Sequence, residues 1–82
     1  MIGIETRELP SPEAWSQHEG EEFIYVLAGE VMLHTQLYAP LRLTQGDSAY
    51  IDNTMRHTFV RMSEEAASLI SICQTARLEI EI

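Results

Sequence analysis

The sequence predicts a strand, a tight turn and a second strand over the stretch Phe23-Ile24-Tyr25-Val26-Leu27-Ala28-Gly29-Glu30-Val31-Met32-Leu33. Residues 23–27 are all apolar, as expected of a short strand that is covered on both faces. The turn follows at Ala28-Gly29-Glu30, where glycine can adopt the backbone conformation that a tight turn needs. Beyond it, Val31 and Leu33 alternate with more polar neighbours. This alternation predicts a strand with one buried face and one wetter face.

Further short strands are predicted on both sides of this pair, and nothing sustains a helical period. Ile2 and Ile4 begin an edge strand, and the prolines of residues 9–12 allow at most one helical turn before Trp15. The later strands are predicted at residues 41–43, 48–51, 55–59, 69–73 and 78–82, with Gly, Pro, Asn or Asp at several of the turns between them. This pattern indicates an all-β sandwich or barrel.

A length of 82 residues predicts a single small domain, residues 1–82, with a modest hydrophobic core. Hydrophobic residues make up 45% of the chain and charged residues 22%, as in ordinary globular proteins. Small β-rich domains often complete their core by pairing, and the edge strand at 78–82 needs a cover. We therefore expect a homodimer.

The charge balance argues against nucleic acid as a direct partner. The formal net charge is -8, with 13 acidic and 5 basic residues and no lysine. The five basic residues are scattered along the chain: Arg7, Arg42, Arg56, Arg61 and Arg77. Binding to a phosphate backbone needs clustered basic side chains, so we expect no direct nucleic-acid contact by this segment.

The single cysteine, Cys73, excludes an intramolecular disulfide and agrees with a reducing compartment. Its apolar surroundings predict a small buried hydrophobe. The sequence has no basic-then-apolar leader and no apolar run long enough to span a bilayer. These observations predict a cytoplasmic protein with no membrane contact.

Two imidazoles and a carboxylate form the candidate site. His18 and Glu22 are separated by a turn that contains Gly20, which lets both side chains converge. His57 shares the inward parity of Phe59 on its strand. Two His and one carboxylate can hold a divalent metal with open coordination positions. A hydrogen-bonded trio without an ion is the alternative, because a buried imidazole needs a partner.

These residues, with their spacing, resemble the cupin superfamily over roughly residues 14–73. His18, Glu22 and Gly29 match the second His, the Glu and the Gly of the first cupin motif. Gly46-Asp47 and His57 match the second motif. The resemblance implies a small double-stranded β-helix (jelly-roll) barrel. Ser16 stands where the family has the first motif's other His.

In cupins the motif His and Glu residues bind metal, so the resemblance implies that His18, Glu22 and His57 are metal ligands. The ion could be Zn, Fe, Mn or Ni, since all accept this ligand set. Ser16, Phe59 and Arg61 are the candidate ligand-binding residues. Ser16 could hold a water in the missing position, and Arg61 could clamp an anionic group, although a salt bridge is the plainer role for that arginine.

The finer resemblance is to the small-molecule-sensing cupin domain of bacterial helix-turn-helix regulators. The stretches at residues 21–31, 33–35, 38–43 and 46–52 carry it. It implies a module that binds a small molecule and reports its presence. A stand-alone metal-dependent enzyme of the oxygenase, isomerase or decarboxylase type is the alternative, and a ligand-free structural dimer is the third reading. No catalytic residue is assigned.

Overall fold

Seven strands and one short 3₁₀ helix make up the computed structural model, which describes residues 1–74. The strands are β1 (Ile2–Ile4), β2 (Glu21–Ala28), β3 (Glu30–Thr35), β4 (Leu41–Thr44), β5 (Ser48–Asp52), β6 (His57–Arg61) and β7 (Ala67–Gln74). The 3₁₀ helix (Pro12–Ala14) begins with a proline, whose fixed φ suits a first helical position. The strand predicted at residues 78–82 lies outside the described residues.

The strands form two antiparallel sheets. One has the order β1-β7-β2-β5 and the other the order β4-β3-β6. The turn at Gly29 carries the chain from the first sheet into the second. The prediction of an all-β jelly-roll architecture is confirmed.

At the turn, Gly29 lies directly against the start of β7, the neighbour of β2 in the four-stranded sheet. Its φ is +77°, and a Cβ placed there would lie 2.7 Å from the Cα of Ala67. Only glycine tolerates both the left-handed backbone and that approach. The first strand-turn-strand of the sequence therefore sets how the two sheets join.

The core lies between the inner faces of the two sheets. Its buried cluster consists of Val26, Val31, Leu33, Leu43, Ile51 and Ala67. Val31 and Leu33 are buried on β3 as their alternation predicts. Each strand thus turns every second side chain inward.

Three details of the strand predictions are wrong. The strand at 23–27 is not covered on both faces, because Phe23 is 38% exposed on its outer side. Met55 was predicted inside the strand at 55–59 but precedes β6, which begins at His57. Cys73 is exposed, not a buried hydrophobe. Within residues 1–74, no helix has the length and apolar character needed to cross a membrane.

Candidate metal centre

The loop before β2 is held in place by two pairs of backbone hydrogen bonds. The amides of Ser16 and His57 each donate to the other's carbonyl at 2.9 Å. The His18 amide donates to the Asn53 carbonyl, and the Asn53 amide donates to the Gly20 carbonyl, also at 2.9 Å. Gly20 has a φ of 103°, which lets the chain reverse before β2 begins. The loop is thereby fixed against the start of β6.

His18, Glu22 and His57 meet at this point. One ligand atom from each lies within 4.8 Å of the others. Glu22 comes from the four-stranded sheet and His57 from the three-stranded sheet, while His18 comes from the loop. Glu22 and His57 are 7% and 4% exposed, whereas His18 is open to solvent. The site therefore joins both sheets and can be reached from outside.

The hydrogen bond made by His57 determines which of its ring nitrogens carries the hydrogen. Its Nδ1 lies 2.8 Å from the Met55 carbonyl oxygen, and because a carbonyl only accepts, Nδ1 carries the proton. In the neutral ring, Nε2 then presents a lone pair toward Glu22 Oε1, 3.6 Å away. A divalent metal ion placed between these two atoms could be bound by both.

Glu22 has its own supporting partner. The Ser71 hydroxyl on β7 donates to Oε2 of Glu22, which leaves Oε1 directed toward His57. Metal sites are built this way, because partners outside the ligand set fix the orientation of the ligand atoms. The donor set and its supports fit a divalent transition metal ion.

A cavity of about 350 Å³ opens at this centre, between the β1 and β6 edges of the two sheets. Besides His18, Glu22 and His57, it is lined by the predicted ligand residues Ser16 and Phe59. Ile2 and Ile4 form part of its apolar wall. The ligand roles of Ser16 and Phe59 stay predictions, now with both residues beside the three candidate metal ligands.

Arg61 shares the inward face of β6 but lies at the far end of the strand, opposite Val31. It is not among the described residues that line the 350 Å³ cavity. Its Nε is buried without a hydrogen-bond partner in residues 1–74. The predicted clamp on an anionic ligand therefore gains no support from this cavity.

Ser71 and Cys73 are among the lining residues that the sequence analysis did not place at the site. Both lie on β7, and Cys73 is the direct cross-strand neighbour of Glu22. The signal was the parity of the last described strand, where both follow the inward position of Leu69. The inward and outward positions of this strand could not be told apart in the sequence. The residues at both sets of positions are hydrophobic or small.

A larger cavity of about 590 Å³ lies on the other open side, between β4 and β5. Its lining is mostly apolar and includes the core residues Leu33 and Ile51. None of the three candidate metal ligands borders it. We take the smaller cavity as the candidate functional site, because the possible metal-binding atoms converge there although its volume is smaller.

A comparison with protein families finds a match to the family model described as cupin domain, over residues 5–73. This range includes all three candidate metal ligands and every described strand except β1 and the last residue of β7. The comparison with curated proteins finds no significant match, and neither does the comparison with solved structures.

Proposed function

The chain belongs to the cupin domain family, and from this premise we propose that it is a module that binds a small molecule through a divalent metal ion. The observation that carries the proposal is the convergence of His18, Glu22 and His57 on one cavity. The metal would supply a Lewis-acidic centre with open positions for oxygen atoms of the ligand. Zinc, iron, manganese and nickel all suit these donors.

The cavity limits the ligand class. A volume of about 350 Å³ is at the lower end for small-molecule sites. One part of its wall carries the side chains that would bind the metal. Another part is formed by Ile2, Ile4 and Phe59. A ligand with an oxygen-donor head, such as a carboxylate, and a short apolar body matches this division.

We further propose that the module senses its ligand. Glu22 and His57 belong to different sheets, so a bound ion or ligand would tie the two sheets together at the β1 and β6 edges. A signal requires that the ligand bind two packing states with different affinity. The resemblance to sensor domains of transcriptional regulators supports this reading, and a neighbouring DNA-binding domain would be the receiver.

An enzyme is the second candidate, and one observation favours it. Two His and one Glu leave coordination positions open, as in non-haem iron oxygenases. Against it, among the described lining residues the only titratable group beyond these three is the Cys73 thiol. A proton-transfer step would therefore lack a separate carboxylate or imidazole among the described residues that line this cavity.

Metal analysis tests the proposal. Protein purified without chelators, then titrated calorimetrically with Mn²⁺, Ni²⁺ or Zn²⁺, is expected to bind about one ion per chain. His57→Ala should abolish that binding. The matched control is His34→Ala, because His34 packs near Trp15, with ring centroids 6.1 Å apart, and lies outside the cavity. Equal binding by wild type and His57→Ala would overturn the metal assignment.

Thermal shift then tests ligand binding. Metal-loaded protein is screened against small carboxylic acids, and a rise in melting temperature that requires both metal and His57 is expected. Turnover of any of them, followed by product analysis, would support the enzyme instead. A shift of equal size in His57→Ala would argue against ligand binding through the metal.

A further inference from the structure

We propose that the 590 Å³ cavity between β4 and β5 is a second ligand site, which binds an organic amine with an apolar body and needs no metal ion. The cavity lies between two sheet edges, since β4 is the last strand of one sheet and β5 of the other. It borders none of the three candidate metal ligands. An opening with its own lining can bind a ligand of its own.

Apolar side chains form most of the wall of this cavity. They include Leu33, Leu37, Leu41, Ala49, Ile51 and Met55. Leu37 is 70% exposed and Leu41 48%, so part of this wall is open to water. Covering it with the body of a ligand would remove apolar area from water, which favours binding. The volume lies within the usual range of small-molecule sites.

Asp52 is the only charged residue among the described residues that line the cavity. Its neighbour Ile51 is buried in the core, whereas Asp52 is exposed at the end of β5. Its carboxylate therefore lies at the rim of an apolar wall. Oδ1 accepts from the Thr54 amide at 2.9 Å and from the Thr54 hydroxyl at 2.7 Å. Both bonds go to the same oxygen, so among the described residues Oδ2 is left to accept from a ligand.

The charges at the rim select a cation. The Thr54 hydroxyl, followed by the Thr54 amide, holds the pKa of Asp52 below its ordinary value of 3.8, so this carboxylate is ionised at neutral pH. Glu21 is the cross-strand neighbour of Asp52 and adds a second negative charge on the same face. Two arginines adjoin wall residues in the sequence, but Arg42 is in an ion pair and Arg56 borders a different pocket. An ammonium group offers the donors that Oδ2 can accept, whereas an anion is repelled.

Two tyrosines also line the cavity and favour an organic cation over an inorganic one. Tyr38 lies in the loop between β3 and β4, and Tyr50 lies on β5. The Tyr50 hydroxyl donates to Glu21 at 2.8 Å, which holds its ring beside the two carboxylates. Aromatic rings attract ammonium groups and pack against apolar bodies. A hydrated inorganic ion would gain nothing from the apolar wall, so an amine with an apolar body is the class that uses both features.

Nuclear magnetic resonance titration of the isotope-labelled full chain tests the proposal, with 2-phenylethylamine as the probe. Its matched probes are 2-phenylethanol, which is neutral, and 3-phenylpropanoate, which is anionic. We expect the amine to shift the amide signals of Leu41, Ala49 and Ile51, and to bind about fivefold more tightly than the alcohol, the scale of an exposed ion pair. The anion should bind least tightly. His57→Ala and a chelator should leave the amine affinity unchanged, so this test and the test of metal binding can fail separately.

Two variants separate the roles of charge and apolar wall. Asp52→Asn should lower the amine affinity about fivefold, to that of the alcohol, and leave the alcohol affinity unchanged. Asp47→Asn is the matched control, because the Asp47 carboxylate also accepts from the amide and hydroxyl of one threonine, Thr44, but does not line the cavity. Leu41→Asn should weaken the amine and the alcohol alike, by about fivefold, through lost apolar contact. Circular dichroism checks that each variant is folded.

Four results would overturn the proposal. The first is the absence of saturable shifts with both the amine and the alcohol. The second is an equal loss of amine affinity in Asp52→Asn and Asp47→Asn, which would indicate general attraction to an acidic chain. The third is an anion that binds as tightly as the amine. The fourth is a set of shifts confined to the surroundings of His57, or lost in His57→Ala, which would assign the amine to the smaller cavity.

Discussion

Ser16 and His57 face each other as an antiparallel backbone pair, joined by two hydrogen bonds of 2.9 Å. Cross-strand partners project their side chains to the same side. Both side chains indeed line the 350 Å³ cavity. The hydroxyl of Ser16 thus stands beside the candidate metal ligands, at the position where the cupin motif has a histidine.

Ser16→His should therefore strengthen metal binding. A third imidazole at this position completes a set of three nitrogens and one carboxylate. We expect the affinity for Ni²⁺ or Zn²⁺ to rise by at least about tenfold, the scale of effect that even outer partners have on metal sites. Calorimetric titration measures it.

Ser11→His is the control for that change, since it adds an imidazole to an exposed serine outside the cavity. Its affinity should equal that of wild type. An unchanged affinity in Ser16→His would mean that the Ser16 position does not face the ion.

Ser71→Ala should weaken metal binding without removing a ligand. The Ser71 hydroxyl holds Oε2 of Glu22, so its loss frees the carboxylate to rotate. We expect metal affinity to fall by about 10–100-fold. Ser68→Ala, on the same strand and opposite Gly3, is the matched control. Equal affinities in the two variants would refute the positioning role of Ser71.

The architecture could be predicted from the sequence because local signals agreed with one another. The alternation at Val31 and Leu33, the glycine turn and the short strand lengths all follow from backbone geometry and burial. The same alternation predicted that the side chains of Glu22 and His57 both point into the interior. Because these signals are local, they needed no knowledge of the partner strand.

The rest could not be predicted because it depends on which strands become neighbours. Cys73 lies beside Glu22 only because β7 pairs with β2, and no local pattern encodes that pairing. The apolar run at residues 23–27 predicts two covered faces, yet the described chain covers only one. Exposure of the outer face depends on which elements pack together and not on the local sequence.

Gly29→Ala should destabilise the fold more than Gly46→Ala. Both glycines have positive φ, +77° and +92°, but a Cβ at Gly29 would meet the backbone of Ala67 at 2.7 Å, whereas nothing lies within 4 Å at Gly46. We expect a loss of about 3 kcal/mol at Gly29, from strain and steric overlap together. Gly46→Ala should lose only about 1 kcal/mol, from backbone conformation alone.

Urea unfolding followed by circular dichroism measures both free energies of unfolding. Losses of equal size would mean that the start of β7 can move away from Gly29 without cost. That outcome would contradict the close approach of Gly29 to Ala67.

Tyr50 should titrate at a higher pH than an ordinary tyrosine. Its hydrogen bond to Glu21, followed by the charge of that carboxylate, raises the pKa of Tyr50 above 10.0. A raised pKa in the folded state favours the neutral phenol, so this contribution to stability is complete below pH 10 and is lost as pH rises through the folded value. Glu21→Gln removes the carboxylate charge and should lower the pKa of Tyr50 toward its ordinary value.

Spectrophotometric titration of tyrosinate absorbance measures this change, and subtraction of the Tyr50→Phe curve isolates Tyr50 from the other two tyrosines. Glu19→Gln is the control, because it removes an equal charge from an exposed residue two positions before Glu21 and should leave the curve unchanged. If Glu21→Gln also leaves the curve unchanged, the Glu21–Tyr50 hydrogen bond does not persist in solution.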